Sequence, residues 1–180
     1  MRALPGAGSL ASPVMSAALL PPEQYYASLP KSISGAGAIL YDERGRVLLV
    51  RPSYRDDTWE FPGGGLEDGE FPLDAARREL DEELGLDRKP GRLLVVDWVP
   101  PQPDGRPALV NFLFDGGLIT EEQAGQQMQL DSDELTEWRL AAPDEWDELL
   151  VPHMARRLRA CADALAGGHT AYLHDGWHPG

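Results

Sequence analysis

Apolar and polar positions alternate in blocks that sort into strands and helices. Ile33 to Tyr41 is apolar, with small residues at Gly35, Ala36, Gly37 and Ala38. Asp42-Glu43-Arg44-Gly45 then turns the chain into Val47-Leu48-Leu49-Val50, the pattern of a β-hairpin. Arg51 to Thr58 is a polar connection, and Trp59-Glu60-Phe61 is extended because Phe61 precedes Pro62. Gly63-Gly64-Gly65 predicts a loop. Pro72 suits the first turn of a helix, and Gly85 with Pro90 beyond it ends that helix near Leu84. Strands are expected over 93–99, 108–114 and 134–140, and helices from Pro143 to Leu150 and from Pro152 to about Ala166. Strands and helices mix without strict βα alternation. The expected class is therefore α+β, as a layered α/β/α sandwich rather than a doubly wound sheet.

Composition narrows this picture. The 180 residues suit one domain with tails, here a flexible N-terminal segment over 1–30, a domain over 31–166 and a C-terminal tail over 167–180. The first thirty residues are rich in Ala, Pro, Gly and Ser; Ser9, Ser12, Pro13 and Ser16 interrupt any signal-peptide core, and Met15 is a candidate start within them. The single cysteine, Cys161, shares helical spacing with Met154, Leu158 and Leu165 and reads as a core residue. One cysteine leaves no disulfide framework, so a reducing, cytoplasmic setting is expected. No apolar run is long enough for a membrane span. His169, His174 and His178 fall in the expected tail, as a disordered segment rather than a metal site.

Sixteen Lys and Arg against thirty Asp and Glu give a net charge of −14. That balance argues against a long nucleic acid or an anionic membrane gripped by basic residues. The acids cluster. Residues 67–87 carry nine acids and two arginines, and residues 121–148 carry ten acids and Arg139 alone. In the first cluster Leu73, Ala76, Leu80 and Leu84 form a core stripe, and Glu79, Glu82 and Glu83 lie beside it at i, i+3 and i+4 spacing. Three carboxylates so placed repel unless neutralised. Spacing alone leaves two readings open, a solvated charged face or a site for a hard divalent cation such as Mg²⁺ or Mn²⁺.

The wider pattern chooses between them. Gly64, five residues, Glu70, seven residues, Arg78-Glu79-Leu80, one residue, Glu82-Glu83, one residue and Gly85-Leu86 match the Nudix box at every specified position. The chain thus resembles the Nudix hydrolases over 64–86, with compatible strands from about 31 to 166. Trp59-Glu60-Phe61-Pro62-Gly63-Gly64 is similar to the segment leading into the box in the MutT-like branch. The resemblance implies a sandwich with a loop-helix-loop catalytic unit that hydrolyses a nucleoside diphosphate linked to another group. Glu82 and Glu83 match its metal ligands, and Glu79 a residue that serves as ligand in many members and is proposed as the base in some. A carbonyl of Gly63 or Gly64 would add a ligand. Arg78 matches a residue that holds the box carboxylates, with Glu70 as its partner and phosphate contact as the lesser alternative. Late glutamates in several relatives suggest Glu134 as a further ligand or base; otherwise it belongs to a charged loop.

The substrate is less legible. Trp59 and Phe61 either face a base or pack under the loop; Trp98, Phe112 and Phe114 either line a pocket or fill the core. Arg51 and Arg55 either steer an anionic substrate or are ordinary surface arginines. The MutT-like segment favours a (deoxy)nucleoside triphosphate. Pro101, fifteen positions past Leu86, points instead to ADP-ribose or ADP-sugars, in a loop already rich in proline. A non-catalytic nucleotide-sensing module is the reading from another class, although no box position is missing. The expected state is monomer or homodimer, with a small nucleotide-like molecule as partner.

Overall fold

A computed structural model describes residues 20–55 and 57–180. Residues 31–180 form one compact unit, to which the described residues 20–30 do not belong. The elements in chain order are α1 (Pro22–Ser28), β1 (Ser32–Tyr41), β2 (Val47–Pro52), β3 (Gly63–Gly65), α2 (Pro72–Leu84), β4 (Leu93–Val99), β5 (Ala108–Leu118), α3 (Glu121–Gln127), β6 (Leu135–Ala141), α4 (Trp146–Leu149), α5 (Pro152–Gly167) and β7 (Ala171–His174).

The strands make one mixed sheet in the order β6-β2-β1-β5-β4-β7, with β3 paired to β1. β1 lies antiparallel to β2 and β3 but parallel to β5, and β4 is antiparallel to β5 and parallel to β7. The central strands are buried on both faces because their side chains alternate between two cores. Ile39, Val47, Leu49 and Leu113 pack with Trp146, Leu150, Leu158 and Cys161 of α4, α5 and their connection. Ala38, Leu40, Leu48 and Val50 pack with Leu80 and Leu84 of α2, and Ala36 and Phe114 with Ala75 and Ala76. The result is the expected α/β/α sandwich.

Several expectations need correction. Residues 167–180 are not a simple tail, because β7 adds a strand beside β4. Its four residues alternate buried and exposed, and the Gly176 N–H donates to buried Asp97 at 3.0 Å. Gly63–Gly65 is a short strand rather than a loop. It lies so close to β1 that a Cβ on Gly63 would collide with the Ala36 carbonyl, and its φ of +150° suits glycine. The acidic stretch after Thr120 begins with helix α3, closed by a capping box between Thr120 and Gln123. The helix expected over 143–150 is confined to α4, preceded by a turn. Within the expected N-terminal tail, Pro22–Ser28 is helical; residues 1–19, with the signal-peptide and Met15 readings, lie outside the described residues. No helix among the described residues is long and apolar enough to cross a membrane.

Candidate active site

The core stripe of α2 fixes the helix against the sheet, and that fixes its carboxylates. Glu79 and Glu83, one turn apart, point to the glycine strand and are each only 8% exposed. A Cβ on Gly64 would collide with Glu79 Oε1, so the carboxylate sits where a side chain would otherwise be. The Gly63 N–H donates to Glu83 Oε2 at 3.0 Å. Glu82, one position along, is exposed.

Arg78 organises the cluster. Its Nε and Nη2 donate to the two oxygens of Glu70 at 2.9 and 3.0 Å. Nη1 donates to Glu79 Oε1 and Glu82 Oε2, both at 2.8 Å, and Nη2 also reaches the Gly65 carbonyl at 2.9 Å. A guanidinium has five N–H groups, and these five bonds engage them. Arg78 therefore ties helix, glycine strand and Glu70 together and has no donor left for a phosphate. Its hydrogen bond lowers the Glu70 pKa, and the carboxylates in turn raise its own.

Glu83 is in a different electrostatic position. Burial pushes its carboxyl up to about 8, and the charges of Glu79, Glu134 and Glu60 add to the shift, against the Gly63 N–H, which lowers it. Burial also raises Glu79, with Arg78 opposing. Glu60 is raised by burial, with Arg55 opposing. In all three carboxylates desolvation outweighs whatever positive charge or N–H donor stands beside them. Among the described residues, no three acidic, histidine or cysteine side chains already converge as a cation cage, and Glu79 and Glu82 are turned to Arg78. The chemistry of the donors still fits a hard divalent cation: oxygen only and desolvated.

Beyond the glycine strand lies a cleft of about 720 Å³. It is on the α5 face of the sheet, whereas Glu79 and Glu83 belong to the α2 face; β3 is the seam between them. Leu109, Asn111 and Leu113 of β5 line it, with Ile33, Phe61, Met154 and Arg157, and Glu60 stands near the glycines.

The other sequence candidates are distributed unevenly. Phe61 lines the cleft while packed into the core. Trp59 is not at the cleft; it packs on the α5-side core with the Arg139 guanidinium over its ring at 5.8 Å. Trp98 pairs with Val110 rather than with Asn111, which lines the cleft, and lines a separate groove with Tyr172 and His174. Arg51 pairs with Glu137 at 3.1 Å and Arg55 with Asp57 at 3.0 Å, and neither lines the cleft. Phe112 and Phe114 face α2 and fill the core. Glu134 is exposed in its turn, but its charge raises both Glu79 and Glu83. Of the histidines, His174 contacts the Tyr172 hydroxyl at 3.0 Å. Cys161 is fully buried and its thiol pushed up by desolvation.

Sequence reasoning missed Glu60, Tyr54, Asn111 and Arg157. Tyr54 is exposed, and its hydroxyl is raised by burial first and then by the charges of Glu60, Glu83 and Glu134. Glu60 sits inside the quoted Trp-Glu-Phe segment, where the aromatics draw attention away from it. Asn111 and Arg157 come to line one cleft only through the fold.

The NUDIX domain profile matches residues 31–161. The RNA pyrophosphohydrolase of Novosphingobium aromaticivorans is 29% identical over 141 residues, 71% of this chain and 88% of that protein. For several other relatives of the same name the match is confined to 29% to 36% of their length. Among solved structures, a UDP-X diphosphatase superposes with a TM-score of 0.65 at 22% identity, covering 86% of this chain and 75% of that one. The MutT protein of Methanosarcina mazei Go1 gives 0.59 at 21%, covering 77% and 96%.

Proposed function

The chain belongs to the Nudix hydrolase family, and on that footing we propose that it hydrolyses a pyrophosphate bond in a nucleoside triphosphate, with Mg²⁺ or Mn²⁺ as its cation. The observation that carries this reading is the seam at β3. On one side stand desolvated carboxylates suited to phosphate chemistry, and on the other a cleft of mixed polar and apolar lining with room for a nucleoside.

A bound divalent cation supplies the charge that neutralises phosphate oxygens and acidifies water. The residues of the chain do the rest. Glu79, Glu82 and Glu83 would provide its oxygen ligands, with a carbonyl of Gly63 or Gly64 beside them. Water attacks phosphorus, the anhydride P–O bond breaks with its electron pair leaving on the departing phosphate, and a carboxylate accepts the water proton. Glu79, Glu83 and Glu134 are the candidates for that proton. Arg78 is a positioning residue, held by Glu70, that keeps Glu79 and Glu82 from splaying under mutual repulsion. The acid excess and a polyanionic substrate are compatible if a divalent cation neutralises the charge between them.

Relatives named for RNA supply a second reading, a triphosphate carried on an RNA. It sets aside the expected exclusion of nucleic acid, and the net charge of −14 disfavours a long phosphate backbone along the surface. Pro101, the pointer to ADP-ribose, lies in the 100–107 loop and does not line the cleft.

The test is phosphate and pyrophosphate release from nucleoside triphosphates, ADP-ribose, nucleotide sugars and a triphosphate-bearing RNA, with Mg²⁺, with Mn²⁺ and with chelator. Turnover of the free triphosphates that stops under chelator is expected. Preference for the RNA selects the second reading, and nucleotide binding without turnover selects the sensing module.

A further inference from the structure

The carboxylate side of the seam and the cleft meet at one side chain. Glu60 forms an isolated antiparallel bridge with Val50, and the two backbones exchange N–H···O bonds of 2.8 and 2.9 Å. Residues opposed in such a bridge project to the same face, so Glu60 shares the α2 face with Val50. Its charge accordingly helps to raise the Glu83 carboxyl. Yet Glu60 also lines the cleft, beside Phe61 and the glycines of β3, and its side chain is 28% exposed. Glu79, Glu82 and Glu83 do not line the cleft.

The protein itself makes little use of this carboxylate. Its ion-pair partner among the described residues is Arg55, at 3.8 Å, which is beyond hydrogen-bond distance, and Arg55 is engaged by Asp57 at 3.0 Å. The backbone of Glu60 is bonded in both directions and its side chain is half-buried, so two acceptor oxygens are offered from an anchored position. An ionised carboxylate accepts hydrogen bonds and donates none. Glu67 and Asp68, the other acids on the cleft, are exposed to solvent.

A nucleotide places its ribose between phosphate and base. With phosphates at the α2 carboxylates and the base in the cleft, the ribose falls at β3, where Glu60 stands. A carboxylate there repels phosphate and suits hydroxyl donors, as an acidic side chain accepts from a ribose hydroxyl in dinucleotide-binding folds. We propose that Glu60 binds the ribose hydroxyls of the substrate and makes the protein selective for ribonucleotides over their deoxy counterparts. The inference rests on the nucleotide reading above and adds the sugar to it.

Binding separates the two claims, because nucleoside monophosphates contain no anhydride bond to cleave. Calorimetry with the full chain in Mg²⁺ compares AMP and GMP, each with its 2′-deoxy and 3′-deoxy analogue. The ribose form is expected to bind about tenfold tighter, as one hydrogen bond to a charged acceptor allows. Glu60→Ala should weaken AMP and GMP to the level of their analogues, with the analogues themselves within about twofold of wild type. Glu60→Gln keeps one acceptor oxygen and should retain a preference of about threefold. Mn²⁺ titration without nucleotide, read by electron paramagnetic resonance, separates a role in holding the cation; Glu60→Ala should leave that affinity within about twofold. Dependence on one hydroxyl that vanishes in Glu60→Ala still places the carboxylate on the sugar. Equal affinities within each series, a deoxy preference, a preference that survives Glu60→Ala, or no binding of any of the six overturns the proposal. So does weaker Mn²⁺ binding with an equal loss for ribose and deoxyribose forms, which assigns Glu60 to the cation. A sugar preference without hydrolysis of ATP or GTP leaves the subsite standing and overturns the hydrolase reading instead.

Discussion

Residues 67–87 and 121–148 carry nearly the same acid excess, net −7 and −9, yet the fold treats them oppositely. The first segment turns Glu79 and Glu83 inward against a strand without side chains and focuses Glu70, Glu79 and Glu82 on one arginine. The second spreads its charges over the surface. Glu121 pairs with Arg46, Glu137 with Arg51, Glu145 with Arg139 and Asp147 with Arg159, while Thr120 and Gln123 cap α3. Exposed pairs of that kind contribute about 0–1 kcal/mol each. Charge density is therefore a poor guide to chemistry. What distinguishes the active segment is desolvation: Glu79 and Glu83 are buried, and burial outweighs the partners that favour their charge.

The sharpest way to break this contrast is to neutralise one acid in each segment. Glu83→Gln should lower kcat by about two orders of magnitude or more with the fold intact, while Glu148→Gln stays within about twofold, both read by steady-state kinetics and thermal melts. Near wild-type turnover in Glu83→Gln would remove α2 from the site. Arg78→Lys comes next. An ammonium cannot span four acceptor groups, so kcat should fall roughly 10- to 100-fold although the positive charge survives. Glu134 is the member of the second segment whose charge reaches the first, and Glu134→Gln should cost roughly 3- to 10-fold in kcat; unchanged turnover returns it to the charged surface.

The contrast should also appear in stability. Glu83 has a folded pKa of about 8, above its unfolded value, so folding favours its protonated form. In metal-free protein its contribution is present at low pH and lost as pH rises from about 4.5 to about 8. The raised Glu79 and Glu60 act in the same direction, and His153, lowered by burial, acts in the opposite one. Glu83→Gln should therefore flatten the decline, its melting point exceeding wild type at pH 8 by on the order of 5 °C and matching it near pH 4.5. In the second segment Thr120→Ala should cost about 1 kcal/mol of stability by removing the cap of α3 and leave kcat unchanged.

How much of this could be read from sequence depended on how far apart the partners lie. The α2 carboxylates and Arg78 sit within one helix, where 3.6-residue spacing alone places them. The sandwich followed from strands buried on both faces. The cleft did not, because Asn111, Asp97 and Arg157 belong to three elements, and α5 shows only a core stripe to a reader of its sequence. Gly63–Gly65 looks like a loop by propensity and becomes a strand only because β1, with Gly35 and Gly37, lets it approach. β7 alternates correctly but is four residues long, too short for periodicity to distinguish from chance. Thr120-Glu121-Glu122-Gln123 did carry the capping signature of α3, hidden inside an acid-rich stretch.

Asp97 uses one oxygen on Arg157 and the other on the backbone of Gly176, so the C-terminal strand is a strut of the cleft. A nick at the exposed Gly167-Gly168 junction, or a fusion that drags β7 off the sheet edge, would leave the α2 carboxylates and their arginine where they are. The damaged protein would keep its acidic cluster intact and lose the brace that holds Arg157 in the wall of the cleft.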